Sequence, residues 1–133
     1  MIGAIMTDRV AELRKLGLGD MFHSRSPNGA SLTCLVTAVD DDTISARRIT
    51  TQDDHQFNRR TGLSLGDDHS RIDCVAPLPP DVYGTLLAMD RRGQEIAALF
   101  SNGIRVPNER YRPTLEERRA LDLVDEHVAA NSI

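Results

Sequence analysis

Arg47-Arg48 and Arg59-Arg60 are the residues of this chain best suited to chemistry by type and spacing. Paired guanidiniums bind phosphate or carboxylate oxygens in a bidentate way. The segment between them, Thr51-Gln52-Asp53-Asp54-His55, is polar and reads as a hairpin loop. A loop centred on Asp53 sets Ile49 opposite Phe57, a favourable cross-strand pair, and Arg47 opposite Arg59. The four arginines then share one hairpin, with Arg25 or His55 as possible neighbours. Like charges directly opposite destabilise a sheet unless something neutralises them. The neutralising group is either an external phosphate or acidic partner, or the chain's own Asp40–Asp42 or Asp67-Asp68. Surface ion pairs of the second kind are common and contribute little.

A second pattern is the tripeptide Asp-Asp-His, which occurs at Asp53-Asp54-His55 and again at Asp67-Asp68-His69. Asp53, His55, Asp67 and His69 are donors that could ligate zinc or manganese if the two loops converged. The spacing matches no standard ligand set, and adjacent residues seldom point at one ion, so each loop also reads as a solvated turn. Asp40-Asp41-Asp42 lacks the glycine and terminal glutamate of a calcium loop. Nucleophilic catalysis has no foothold, since no Gly-x-Ser-x-Gly elbow is present and Cys34 sits mid-strand with no evident histidine. There is neither a P-loop nor a dinucleotide fingerprint. The sequence therefore assigns no catalytic residue and no cofactor.

The elements that must position these residues centre on Leu32–Phe57. Ser31–Val39 carries apolar residues on both parities: Leu32, Cys34, Val36 and Ala38 on one, Leu35 and Val39 on the other. A half-exposed strand alternates cleanly, so this one is expected to be covered on both faces. Asp40-Asp41-Asp42 is a turn, because Asp bonds its own backbone locally. Thr43–Thr50 follows as a strand that must bend near Arg47-Arg48 if Ile44 and Ile49 are both buried. Gln56–Asn58 resumes the sheet. Met21–Ser24 precedes these strands, joined to them by the turn signal Ser26-Pro27-Asn28-Gly29. Leu63–Leu65 reads as a short strand and Arg71–Val75 as the last, ended by the prolines of Pro77–Pro80. An exposed edge beside Met21–Ser24 could pair with a second copy. About five short strands in this span resemble a small, strongly bent barrel of SH3-like type, with an OB-like barrel as the alternative.

Helices flank the barrel. Thr7 is a candidate N-cap for a helix with Val10, Leu13 and Leu16 on one stripe, ended by Gly17. After Pro80, Val82, Leu86 and Met89 fall at helical spacing, with Gly93 as terminator. Gln94–Phe100 reads as a further helix, although Asn102-Gly103 could also turn a hairpin into Ile104–Val106. Thr114 and Glu117 form a capping box for a last helix with Leu121, Val124 and Val128 on its stripe, joined by Leu115 and Leu123. The fold class is α+β, and 1–133 is expected to be one domain: a helix over 1–19, a barrel over 20–76 and a helical part over 77–133.

Composition narrows the function. The 133 residues carry a formal charge of −4, so no global attraction to nucleic acid or anionic membrane is expected. All basic residues but Lys15 are arginine, a bias that GC-rich coding produces and that is weak support for anion binding. Residues 20–75 hold six Arg against nine Asp, and few aromatics are spare for base stacking. No apolar run reaches membrane-spanning length and no signal-peptide pattern opens the chain, so a cytoplasmic location is the default. Cys34 and Cys74 read as small buried apolar residues. The leading expectation is a non-enzymatic interaction module that binds a protein partner through a barrel face or the arginine hairpin. The alternative is a nucleic-acid-binding protein using the same arginines, and a metal-dependent hydrolase on the Asp-Asp-His loops comes third.

Overall fold

A computed structural model of the chain describes residues 9–66, 69–101, 103 and 113–133. Five strands build one antiparallel sheet: β1 (Met21–Arg25), β2 (Ser31–Val39), β3 (Thr43–Arg48), β4 (Asp54–Asn58) and β5 (Arg71–Cys74), in the order β4-β3-β2-β1-β5. Helical residues 9–14 form α1, followed after the sheet by α2 (Pro80–Ser101) and α3 (Leu115–Asn131). Thr7, Asp67, Asp68 and Ile104–Val106 lie outside the described residues.

The sheet curls into a half-barrel. Register shifts fall between Val36 and Ala38 on β2, where Thr37 is the extra residue, and opposite His23 and Ser24 of β1, where Asp73 is the extra residue on β5. Such bulges add local twist and bend the strand that carries them. Residues 62–65 then bridge the two edge strands. Asn58 N donates to Leu63 O and Leu65 N to Gln56 O, both at 2.8 Å, on the β4 side. Ser64 N donates to Ser70 O and Ile72 N to Gly62 O, also at 2.8 Å, on the β5 side. Strand β1 lies between β2 and β5, so the open edge expected beside Met21–Ser24 is not there.

Both faces of β2 are covered, as its double parity requires: Thr33, Cys34, Leu35 and Val36 are buried in succession. Inside the curl, Cys34 and Val36 pack with Leu13 and Leu16, Phe22, Ile44, Phe57 and Ile72. The Phe22 and Phe57 rings meet edge to face with centroids 5.3 Å apart, a favoured aromatic geometry. Outside it, Leu35 packs with Met21, Ile49 and Cys74 against Val82, Leu86 and Met89 of α2 and Ala120, Val124 and Val128 of α3. The bulge after Val36 turns Val39 back toward the inner core, whereas plain alternation puts it with Leu35. Ile49 follows the end of β3 and belongs to the outer core, so β3 needs no bend to bury both isoleucines. On α3, Leu115 and Leu123 face solvent and the buried stripe is Glu117, Ala120, Val124 and Val128.

Helix α2 runs unbroken through Gly93, where the sequence predicts a terminator. The glycine has a different use. A Cβ built there would lie 2.8 Å from the Cγ and Cδ of Gln52, which sits in the β3–β4 turn with φ 63°. The missing side chain lets the turn lie against the helix. Helix α3 starts at the predicted capping box, with Glu117 N donating to Thr114 Oγ1 (3.1 Å) and Thr114 N donating to Glu117 Oε1 (2.8 Å). The same Glu117 Oε1 lies 2.9 Å from Arg92 Nη1, so the cap also registers α3 on α2.

Glycine inside a helix normally costs about 1 kcal/mol relative to alanine. Here a Cβ must displace Gln52, whose amide makes two hydrogen bonds worth about 1 kcal/mol each. Gly93→Ala is therefore expected to lower stability by about 1 kcal/mol in urea unfolding, and to raise it by a similar amount in a Gln52→Ala background. A gain in both backgrounds would show that Gln52 does not set the helix–turn distance.

Candidate functional site

The arginine hairpin forms with a register different from the expected one. Phe57 pairs with Ile44, Ala46 with His55, and Arg47 with Asp54. The turn closes early: Arg48 N donates to Asp53 O at 2.9 Å and Gln52 N donates to Arg48 O at 2.8 Å. Arg59 falls after β4, in the turn that follows, so the predicted Arg47–Arg59 confrontation does not arise.

Each of the four arginines has its own surroundings. Arg47 makes a two-pronged ion pair with Asp90 of α2, Nε to Oδ1 at 2.9 Å and Nη2 to Oδ2 at 2.8 Å. Gln52 Nε2 donates to the same Asp90 Oδ1 at 2.9 Å and to Ile49 O at 2.9 Å. Gln94, in the amide orientation its neighbours dictate, accepts from Arg47 Nη2 at 3.0 Å. Asp90 is only 2% exposed. Burial pushes its carboxyl up, but the hydrogen bonds from Arg47 and Gln52 and the Arg47 charge outweigh this and hold it below the ordinary range. Arg48 is buried, with Nη2 donating to Ser70 Oγ at 3.1 Å and Nη1 3.6 Å from Asp53 Oδ2. Among the described residues Arg59 contacts carbonyls and no carboxylate: Nη1 donates to Asp40 O (2.7 Å), and Nη2 to Arg14 O at the C-terminus of α1 and to Leu16 O just beyond it. Arg60 is exposed, with no side-chain partner among the described residues.

Arg47 is thus neutralised by a group other than the Asp40–Asp42 turn, while Asp67 and Asp68, the other predicted group, lie outside the described residues. Asp90 does for Arg47 what Asp40–Asp42 was expected to do, and Asp40 offers only its backbone carbonyl to Arg59. The sequence held a signal for Asp90. Val82, Leu86 and Asp90 follow one another at i, i+4 spacing, so a carboxylate occupies the next place on an apolar stripe.

Of the two Asp-Asp-His loops, Asp67 and Asp68 lie outside the described residues, so only Asp53, Asp54, His55 and His69 are placed. His55 Nε2 and Asp53 Oδ2 are hydrogen-bonded partners in one hairpin, and Asp53 also accepts from Thr51 Oγ1. His69, exposed at φ 55°, lines a separate cavity beside Arg48 and Ser70. Among the described residues no group of three or more His, Cys, Asp or Glu is placed to hold a metal ion. Cys34 and Cys74 are buried free thiols in the two different cores. The Cys34 thiol is pushed up to about 12 by burial, against the opposing pull of the Ser24 hydroxyl and Arg48, so it stays protonated near neutrality.

A groove of about 310 Å³ opens between the β3–β4 turn and the C-terminal half of α2. Ile49, Met89, Ile96, Ala97 and Phe100 make its apolar lining, Thr50–Gln52 form one wall, and Arg92, paired with Glu117, also lines it. Phe100 is 49% exposed. The Asp90–Arg47–Gln52 network lies at the junction of helix and turn and fixes their separation. Sequence reasoning missed this groove because it ended the helix at Gly93. No helix among the described residues is long and apolar enough to cross a membrane. No protein-family model matches the chain, and searches of curated proteins and of solved structures found no match either.

Removing one partner of a buried ion pair leaves an uncompensated charge and costs about 3–5 kcal/mol, whereas replacing both by apolar groups is near neutral. Asp90→Ala and Arg47→Ala are each expected to fall in that range in chemical denaturation, and Arg47→Met with Asp90→Leu close to the parent. The pair also sets an acid limit. The folded carboxyl lies below its unfolded value of about 3.9, so its contribution is complete above that pH and is lost as the pH falls through the folded value. Asp53 and Asp73 are lowered too and act in the same direction. Thermal melts between neutral and acid pH should show a shallower acid decline in the double variant, and an unchanged decline would remove Asp90 from the titration.

Proposed function

We propose that the chain is a non-enzymatic interaction module, an SH3-like small barrel with helices on its outer face, which binds a segment of a protein partner in the groove between α2 and the β3–β4 turn. The groove carries the reading. Its size is at the lower end of sites that enclose a ligand group, five apolar side chains line it beside Arg92 and the polar turn, and a buried polar network holds its walls. The occupant that fits is a peptide with one bulky apolar side chain as anchor, its backbone within reach of the polar Thr50–Gln52 turn. This moves the expected interface from the arginine hairpin to the surface beside it, since Arg47, Arg48 and Arg59 all have partners inside the chain. The reading places the module in the cytoplasm.

Selection of random peptides on the immobilised full chain tests it. Enriched sequences should share a large aliphatic or aromatic residue, bind with little dependence on salt, and lose at least about tenfold in affinity with Ala97→Glu, which sets a charge in an apolar wall. Ala97 is exposed, so the substitution should leave the fold intact. Enrichment that ignores Ala97→Glu, or that yields acidic peptides released by salt, would overturn the groove as the interface.

A further inference from the structure

The like-charge conflict predicted at Arg47 and Arg59 is absent, but the register creates another at the far edge of the sheet. Arg25 of β1 and Arg71 of β5 are directly opposite partners. Opposed residues on antiparallel strands project from the same face, where two guanidiniums repel. A third arginine adjoins them. Arg9 of α1 donates from Nη2 to Ile72 O at 2.9 Å and from Nε and Nη2 to Thr61 O at 3.1 and 3.0 Å. It is therefore anchored on the carbonyl next to Arg71 by neutral acceptors alone. Gly62, at φ 75°, leaves room for it, since a Cβ there would come within 2.6 Å of Arg9 Nη2.

Among the described residues one carboxylate, Asp73, serves this group. Asp73 accepts from His23 Nδ1 at 2.6 Å through Oδ1, and lies 3.3 Å from Arg25 Nε through Oδ2. Both of its oxygens are thus engaged before Arg71 or Arg9 is considered. Arg71 is exposed and has no side-chain partner among the described residues, and Arg9 Nη1 has no acceptor. The Arg9 guanidinium is lowered by burial and by the Arg71 charge, with Asp73 as a partial offset, which agrees with the three groups being close.

We propose that the Arg25–Arg71 pair, with Arg9 beside it, is a binding site for a phosphate group. A divalent tetrahedral oxyanion supplies the two charges by which Arg9, Arg25 and Arg71 exceed Asp73 among the described residues, and its oxygens suit forked guanidinium donors. The site is on the β1–β5 edge and uses none of the groove residues, so it stands independently of the peptide reading. The phosphate is either the free ion or the end group of a phosphate ester.

Titration of the full chain with inorganic phosphate, against sodium chloride at matched ionic strength, tests it by NMR and by thermal melting. Saturable shifts at the amides of Arg25, Arg71 and Ile72 and a phosphate-specific rise in melting temperature are expected. Arg71→Gln should weaken binding about tenfold or more, and without phosphate should melt no lower than the parent because it removes a repulsion. Arg118→Gln, on the exposed face of α3, should bind as the parent does. Phenyl phosphate run in parallel distinguishes the sources: tighter binding than the inorganic ion assigns an ester ligand, and equal or weaker binding assigns the free ion. Shifts that chloride reproduces, or that persist in Arg71→Gln, would overturn the proposal.

Discussion

The central stretch of strand β2 leaves no face for water, and the rest of the structure answers that constraint. Four successive residues, Thr33 to Val36, are buried, so the sheet must be closed over on one side and roofed on the other. Curling supplies the first cover, by bringing Phe22, Ile44, Phe57 and Ile72 over Cys34 and Val36, with α1 across the end. Helices α2 and α3 supply the second, over Leu35. Neither cover suffices alone, because an antiparallel sheet can wet one face only if that face is polar. The stretch before the bulge at Val36–Ala38 feeds both cores, with Cys34 and Val36 inside and Leu35 outside, and the bulge returns Val39 to the inner one.

The outer cover is held in place by polar contacts. An ion pair as buried as Arg47–Asp90 contributes little net stability against the desolvation of its charges. Its value is geometric. The forked contact, the Gln52 amide and the bare Cα of Gly93 fit only one height of α2 over the hairpin. Glu117 repeats the device one helix further on, where one carboxylate oxygen caps α3 and receives Arg92. Apolar stripes can slide by a turn at small cost, and these contacts remove that freedom.

Much of this was legible in the sequence. The double parity of Ser31–Val39 foretold two covers, the aspartate turn formed with Asp40 Oδ1 accepting from Asp42 N and Thr43 N, and the capping box stands where Thr114 and Glu117 put it. The hairpin register was not legible, because it depends on Gln52 taking a left-handed conformation that no glycine or asparagine announced. With that turn misplaced, Phe57 was paired with Ile49 of the outer core instead of Ile44 of the inner one. Gly93 misled for a related reason: a glycine that ends a helix and one that admits a neighbour are the same letter. Leu115 and Leu123 look like core by composition, but the helix is rotated so that its capping Glu117 faces α2. Of the predicted arginine cluster, Arg47 and Arg48 lie on the hairpin and Arg59 in the turn after β4, and the partner of Arg47 was not legible because Asp90 is more than forty positions away.

The bridge formed by residues 62–65 has a kinetic meaning. The β2–β3 and β3–β4 pairings join residues close in sequence, whereas His23 meets Asp73 across 50 positions. Local pairings form before distant ones, because closing a long loop costs entropy that its contacts return only at the end. The β1–β5 seam should therefore zip last, after the meander has found its shape. Local openings draw on the same differences in stability, and the order reversed makes that seam the first place for native-state hydrogen exchange to enter the sheet.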